Sequence, residues 1–336
     1  MPIRKITIAG CGLIGGSLGA GLRTAGFAGT ITGVDRPEIL DKALRLGAID
    51  VAEPALENAV HDADLVVLAT PISSILSLLP VVARHSPAHA LITDTGSTKA
   101  EIVAAAKALF GASAAQRFLA GHPIAGKERS GIEQADPYLF RGAKWVFTPI
   151  EPVAQLAGND SVGSLDANVA PAAPGVPIPR GGTESGPALR DGVSSAGERK
   201  LASQAAEWME LIRGIGALPV CMQPEEHDLV LAFTSHLPQL LSIALANTVL
   251  GELRPDAVDG GYSRIPHGGG LRDMTRLAKS DPLMWRDILA SNGENIRRAL
   301  DQLQRQIDSL RSALSEDKLD DIQQAFRAAG EISKLS

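Results

Sequence analysis

The hydrophobic pattern divides the chain into two regions of different periodicity. Up to about residue 150, short apolar runs alternate with helix-length amphipathic stretches, which is the order produced by a parallel sheet with crossover helices. The pattern therefore predicts an α/β domain with a doubly wound parallel sheet. The predicted strands are Lys5–Ala9, Thr30–Val34, Leu65–Ala69, Leu91–Thr93, Phe118–Ala120 and Trp145–Thr148.

The composition changes abruptly between residues 152 and 197. Ala, Gly, Pro, Ser and Asp predominate there, and no aromatic residue occurs. Such a segment buries too little apolar surface to offset the entropy cost of ordering it. We therefore predict a flexible surface insertion. Regular structure is predicted to resume with a helix over Leu201–Ile215 and a short strand over Leu218–Met222, which could return to the first sheet.

After Pro224 the pattern is helical throughout. One long helix is predicted from about Pro282, and its apolar residues recur in steps of four and three, which is typical of a packing seam. A contact within the chain and a dimer interface explain this seam equally well. We expect a sheet domain over residues 1–223 and an all-α domain over 224–336. The seam residues are Ile296, Leu300, Leu303, Ile307, Leu310 and Leu314.

Composition and charge narrow the class of protein. The chain has 336 residues, of which 45% are hydrophobic, enough for two cores without a membrane composition. The net charge of −6 gives no reason to expect nucleic acid, although local arginines can still bind a small anionic substrate. Cys11 and Cys221 are too few for a disulfide framework and lack metal-ligand spacing. The N-terminus enters a strand at once, so we expect a cytoplasmic protein.

Gly10, Gly12 and Gly15 form a G-x-G-x-x-G sequence directly after the first strand and at the start of a helix. A dinucleotide-binding Rossmann turn needs glycine there, because the backbone must approach a pyrophosphate closely. Asp35 follows 20 residues later, where a carboxylate accepts from ribose hydroxyls and repels a 2′-phosphate. We therefore expect NAD rather than NADP, although the neighbouring Arg36 could contact such a phosphate. The predicted cofactor residues are Gly10, Gly12, Leu13, Ile14, Gly15, Asp35, Arg36, Thr70 and Pro71.

Polar residues cluster in segments that are predicted to be loops or helix starts. Thr98 and Glu101 have the spacing of a capping box, which predicts a helix over Thr98–Phe110. Asp94–Ser97 would then be a loop at the carboxyl end of a strand. The other polar segments are Gly121–Gly131, Ser235–Pro238 and Gly268–Asp273.

These segments together resemble the prephenate/arogenate (cyclohexadienyl) dehydrogenase family. The matching strings are GCGLIGGS, DTGSTK, GHPIAGKERSG, EEHD, SHLP, GGGLRDMTRLA and DPLMW, in family order, and only the insertion at 152–197 lacks a match. The resemblance implies an NAD-dependent oxidative decarboxylation in tyrosine biosynthesis, on a Rossmann domain followed by an all-α dimerisation domain. It also implies a homodimer.

The resemblance assigns roles to individual residues. His122 is implied as the catalytic base, Ser97 as its hydrogen-bonding partner, and Arg272 as the anchor of a substrate carboxylate. Chemistry agrees, because oxidising an alcohol needs a proton acceptor and a dianion suits the fork of an arginine. The remaining residues implied for the substrate pocket are His236, Glu128, Trp285 and Lys99, of which Lys99 could instead steady its loop or the nicotinamide.

Structural roles remain open for several of these residues. Arg272 could pair with Asp273, and His236 could be a buried helix histidine. Trp285 could belong to a core, and Glu128 could pair with a neighbouring cation in solvent. His227, beside a predicted helix start, is interpreted as structural.

Other functions also remain open. The alternatives are another Rossmann-plus-helical hydroxy-acid dehydrogenase and a catalytically silent nucleotide-binding regulator. The sequence does not choose between prephenate and arogenate, and it leaves open inhibition by tyrosine at the active site.

Overall fold

The computed structural model describes residues 2–127, 129–150, 196–254 and 265–335. Within these ranges the strands are β1 (Lys5–Ala9), β2 (Thr30–Val34), β3 (Val51–Ala52), β4 (Leu65–Leu68), β5 (Leu91–Asp94), β6 (Ala120–Pro123), β7 (Lys144–Thr148) and β8 (Leu218–Cys221). The helices are α1 (Leu13–Thr24), α2 (Pro37–Arg45), α3 (Leu56–Ala59), α4 (Ile72–His85), α5 (Ala100–Phe110), α6 (Ala114–Arg117), α7 (Ala196–Gly214), α8 (Pro224–Leu231), α9 (Leu237–Leu253), α10 (Gly269–Met274), α11 (Pro282–Ser291), α12 (Gly293–Ser315) and α13 (Leu319–Ala329). The insertion predicted at 152–197 lies outside the described residues up to 195.

A five-stranded parallel sheet forms the first half of the chain, in the order β3-β2-β1-β4-β5. The strand order reverses between β1 and β4, as in a doubly wound fold. Every residue of β4 is buried, because helices cover both faces of the sheet. The predicted α/β Rossmann class followed by a helical region is confirmed. The two-residue strand β3 was not predicted.

A second sheet has the order β6-β7-β8, with β6 antiparallel and β8 parallel to β7. The suggestion that the strand near residue 220 returns to the first sheet was therefore wrong. Phe118, predicted as a strand residue, forms only an isolated bridge with Ile92 of β5. The strand begins instead at Ala120, so His122 lies on β6 opposite Val146 of β7 and not on a loop as predicted. Antiparallel pairing with β7 holds the backbone of His122 in place.

The core consists of two clusters of buried side chains. In one, Trp145 of β7 packs edge-on against Trp208 of α7, with ring centroids 6.0 Å apart. The other lies between the sheet and helices α4 and α5, and it includes Ile288 and Ile296 from the C-terminal helices. The helical region is thus packed directly against the α4 and α5 side of the sheet domain.

A continuous helix runs from Pro224 to Leu253 through a π-helical turn at Ala232–His236. By length and mean hydropathy (1.6) alone it could cross a membrane. Its first half buries His227, Asp228, His236 and Gln239, and Asp228 hydrogen-bonds the backbone of α5. This half therefore behaves as a core helix of a globular protein.

The single long helix predicted from Pro282 is in fact two helices, because Asn292 leaves helical geometry between α11 and α12. The Asn292 amide donates to the Asp228 carbonyl 2.7 Å away, so the break is fixed by a contact distant in sequence. Of the predicted seam, Ile296 is buried, whereas Leu314 is 66% exposed. The C-terminal half of the seam is thus not covered within the described chain.

Candidate active site

The glycine-rich turn between β1 and α1 has the geometry of a dinucleotide site. Gly10 has φ of +96°, and a Cβ there would lie 2.4 Å from the Ala69 carbonyl oxygen. A Cβ at Gly15 would lie 1.9 Å from the Gly10 carbonyl oxygen. Around Gly12, by contrast, no atom lies within 4 Å of an added Cβ. Gly10 and Gly15 are therefore required by packing, whereas Gly12 leaves the approach to the helix N-terminus open for a phosphate.

Asp35 follows β2 and accepts hydrogen bonds from the backbone N–H groups of Cys11 and Arg36, both at 2.8 Å. It remains half-buried, whereas the Arg36 guanidinium is exposed and lies 3.4 Å from Glu38. The buried hydroxyl of Thr70 has no hydrogen-bond partner within the described part of the chain. The hydrogen-bonded carboxylate of Asp35, the open turn at Gly12 and the unpaired hydroxyl of Thr70 together suit the binding of a dinucleotide. Leu13 and Ile14 are partly exposed in the first turn of α1, and Pro71 precedes α4.

Helix α5 is capped by a residue from the other half of the molecule. Both carboxylate oxygens of Asp228 accept from its first N–H groups, those of Lys99 (2.7 Å) and Ala100 (2.9 Å). The predicted capping box at Thr98 was therefore wrong, and the Thr98 hydroxyl contacts the Ser291 hydroxyl at 2.8 Å instead. A carboxylate at a helix N-terminus is favoured by the helix dipole. Asp228 thus joins the helical region to the loop that follows β5.

Lys99 and Asp94 form a fully buried ion pair beneath this loop. The Lys99 ammonium also donates to the Gly121 carbonyl oxygen at 2.8 Å, next to His122. Burial lowers the pKa of Lys99, and Asp94 opposes that shift. Because its buried ammonium binds Asp94 and the Gly121 carbonyl, Lys99 supports the loop, and a direct substrate contact stays a prediction.

His122 contacts a second histidine. Its Nδ1 lies 2.9 Å from Nε2 of His227, and the two rings meet edge to face with centroids 5.1 Å apart. His227 Nδ1 in turn lies 2.8 Å from Oδ1 of Asp228. His227 is fully buried, whereas His122 is half-buried. The structure therefore forms a chain from the helical region to the predicted base.

His236 forms the far side of this cluster. It is buried on the π-helical turn, with Nδ1 3.3 Å from the Asn292 amide nitrogen. The Trp285 ring packs edge-on against it at 5.8 Å, and the buried Trp285 Nε1 has no partner among the described residues. The helical residues predicted for the pocket, His236 and Trp285, thus lie together. Irregular helical turns of this kind are frequent at functional sites.

Burial keeps the histidines of the cluster neutral. Desolvation holds the pKa of His122 well below its ordinary value, and electrostatic interactions with His227, Lys99 and His236 lower it further. Burial also lowers the pKa of His227, against the effect of Asp228, and lowers the pKa of His236 to about 4. At neutral pH the His122 imidazole is therefore available as a proton acceptor.

Two other predicted residues, Arg272 and Ser97, are not joined to this cluster by contacts among the described residues. Arg272, on α10, is exposed and forms no ion pair among the described residues, with Asp273 or otherwise. Ser97 is half-buried and forms no hydrogen bond within the described chain, so the predicted bond to His122 is absent. His227 occupies His122 Nδ1 instead. Glu128 lies outside the described residues.

Sequence reasoning missed His227, Asp228 and Asn292 as members of the site. The EEHD string contains the first two, and an adjacent histidine and carboxylate could have suggested an oriented imidazole. The segment was instead interpreted as a helix start, because it is rich in acidic residues, and Glu225 and Glu226 do lie in the first turn of α8. Asn292 offered no signal in the sequence.

The fold and site define a dehydrogenase: a Rossmann domain with a dinucleotide turn, and a neutral histidine between that domain and a helical region. A model described as "Prephenate dehydrogenase, nucleotide-binding domain" matches residues 18–160, and one described as "Prephenate dehydrogenase, dimerization domain" matches 223–328. The prephenate dehydrogenase of Lactococcus lactis subsp. cremoris is 30% identical over 309 residues, covering 92% of this chain and 70% of that protein. The chain belongs to the prephenate dehydrogenase family.

Solved structures of similar proteins agree. Prephenate dehydrogenase of Aquifex aeolicus in complex with hydroxyphenyl propionate and NAD+ gives a TM-score of 0.75 at 26% identity, over 100% of this chain and 98% of that one. Synechocystis arogenate dehydrogenase gives a TM-score of 0.71 at 25% identity, over 99% of this chain and 100% of that one.

Proposed function

We propose that the chain oxidises and decarboxylates prephenate to 4-hydroxyphenylpyruvate, arogenate to tyrosine, or both, with NAD as cofactor. The observation that carries the proposal is the neutral His122 on β6, held by buried partners beside the loop after β5. Membership of the prephenate dehydrogenase family, and relatives named for each of the two substrates, support the reaction class.

In the proposed reaction His122 accepts the proton of the ring hydroxyl through Nε2, because Nδ1 is occupied by His227. NAD, held at the glycine turn by Gly10, Gly12, Gly15 and Asp35, would supply the acceptor for the hydride that leaves the carbon carrying this hydroxyl. The ring carboxylate leaves as carbon dioxide, and aromatisation drives the reaction. The protein's task is therefore to orient the alcohol and to receive one proton at His122 Nε2.

Arg272 is proposed to bind a substrate carboxylate. Its guanidinium is exposed and unpaired among the described residues, and a guanidinium binds a carboxylate with two parallel hydrogen bonds. We propose His236 and Trp285 as pocket walls. Ser97, partly exposed before α5, is proposed to contact the reacting hydroxyl. Gly10, Gly12, Gly15, Asp35 and Thr70 are proposed to hold the cofactor.

The test is NADH formation with prephenate and, separately, arogenate. We expect turnover of at least one substrate, and a loss of about 10²-fold or more in kcat for His122→Asn, the typical contribution of a general base. His61→Asn is the matched control, because His61 is exposed and remote from the site. A folded, NAD-binding protein without turnover of either substrate would refute the proposal. The alternatives would then be another hydroxy-acid dehydrogenase or a silent nucleotide-binding regulator.

We propose a homodimer formed through residues 224–336, with the sheet domain over 1–223. The dimerization-domain match begins at residue 223. Apolar residues on α9 and α12 are left exposed in the single chain, among them Leu253 (46%), Ile307 (44%) and Leu310 (43%). A patch of this kind marks an interface. Leu310→Glu is expected to give monomers in sedimentation experiments, whereas Arg305→Glu, exposed on the opposite face of the same helix, is expected to leave the dimer intact.

Two further aspects follow from the proposed reaction. Tyrosine has the aromatic ring and side-chain carboxylate of the product, so we propose competitive inhibition at the active site, visible as a raised KM. We also propose a cytoplasmic location, which agrees with two free cysteines among the described residues.

A further inference from the structure

Asp228, His227 and the half-buried His122 form a continuous chain of side chains, with contacts of 2.8 Å and 2.9 Å between successive members. We propose that His227 and Asp228 are positioning residues that fix the tautomer of His122, so that its Nε2 carries the lone pair that accepts the substrate proton. This inference rests on the proposed role of His122 as the base. It gives the EEHD segment of α8 a function in the reaction.

The direction of each hydrogen bond in this row of three side chains follows from Asp228, its first member. The Asp228 oxygens accept from two backbone N–H groups of α5, at 2.7 and 2.9 Å, and so act as acceptors. His227 must therefore donate to Asp228 from Nδ1, which leaves its Nε2 as an acceptor. His122 must then donate from Nδ1, and a neutral imidazole has only one N–H. Its Nε2 is consequently unprotonated.

The same chain keeps an acceptor at Nδ1 when His122 becomes charged. When Nε2 takes the hydroxyl proton, the ring becomes an imidazolium whose Nδ1–H already points at the lone pair of His227. Lys99 and His236 oppose this charge, and Asp228 and Asp94 raise the pKa of His227, the ring that accepts this hydrogen bond. Because His227 is fully buried, water cannot replace it at His122 Nδ1. Loss of His227 therefore removes both the fixed tautomer and the acceptor.

The experiment compares His227→Leu with His227→Gln. Leu removes the acceptor, whereas the Gln side-chain oxygen can still accept from His122. We expect His227→Leu to lower kcat about 10²-fold or more, as for other bases that lose their orienting partner, with KM and the NAD dissociation constant within about threefold. The acid limb of its kcat/KM profile shifts, because His227 contributes to the pKa of His122. His227→Gln recovers at least about tenfold of the loss.

Full activity and an unchanged pH profile in His227→Leu would overturn the inference while leaving the proposed function intact, provided that His122→Asn is inactive. A wild type without turnover would instead refute the proposed function. Nitrogen-15 NMR of the wild-type histidines keeps the inference testable if the variants do not fold. An unprotonated Nε2 on His122 at pH 8 supports the chain, and a protonated Nε2 overturns it.

Discussion

Replacing the glycines of the dinucleotide turn by alanine should separate binding of the cofactor from stability of the fold. Gly12 has open space where a Cβ would be, and its backbone is extended with φ of −77°, which suits any residue. Gly12→Ala should therefore fold normally, but its methyl group would occupy the place of the pyrophosphate. We expect NAD binding to weaken about 10- to 100-fold, equivalent to about 1.4 to 2.7 kcal/mol.

Gly15→Ala should have the opposite effect. Its methyl group would lie 1.9 Å from a backbone oxygen that cannot move independently, and 3.0 Å from Ile8. Overpacking of this kind costs about 3 kcal/mol or more in the free energy of unfolding. Urea unfolding of the free protein and calorimetric titration with NAD measure the two effects, and Gly330→Ala, exposed near the C-terminus, is the control. Unchanged NAD affinity in Gly12→Ala would refute the phosphate position, and an unaltered stability of Gly15→Ala would refute the packing argument.

Three further predictions concern the buried charges and the substrate anchor. Because the pKa of His236 falls to about 4 on folding, the unfolded chain protonates first, so stability should drop by about 3 kcal/mol as pH falls from about 6.5 to 4. Urea titrations of the wild type and His236→Gln check this, and equal pH dependence would contradict it. Lys99→Met leaves the Asp94 carboxylate buried without its cation and should lower the free energy of unfolding by about 3 to 5 kcal/mol. The same change at the exposed Lys127 should lower it by less than about 1 kcal/mol. Similar unfolding midpoints for the two variants would count against this. Arg272→Lys should raise the substrate KM about 10-fold or more with little change in kcat or melting temperature, since a lysine lacks the planar fork; steady-state kinetics with an unchanged KM would exclude Arg272 as the anchor.

The local features of the fold were predictable, because the signals lie within a few residues of each other. Strands β1 and β2 match the apolar runs, and the glycine turn follows from residues within one short segment. Features that depend on distant residues were not predictable. The cap of α5 comes from Asp228, 129 residues from Lys99, so the local Thr98 signal was misleading. The break at Asn292 is likewise fixed by a distant carbonyl.

In the candidate site, too, residues within local motifs were predictable, whereas contacts between distant residues were not. His122 and Arg272 were found from their motifs, and their roles remain predictions. The partner of His122 was predicted to be Ser97, which lies on a nearby loop. The structure places there a histidine 105 residues away, because the helical region packs against α4 and α5. A contact across two halves of the molecule leaves no local pattern in the sequence.

The carboxylate of Asp228 has a consequence for how such enzymes can be recombined. It is attached to one half of the molecule, caps a helix in the other half, and reaches the His122 imidazole there through its neighbour His227. A chimaera that takes its N-terminal half from one relative and its C-terminal half from another would have an active His122 only if the contacts of Asp228 and His227 with α5 and His122 were preserved. The junction near residue 224 is therefore a poor place to exchange modules, even though it is the natural boundary in the sequence.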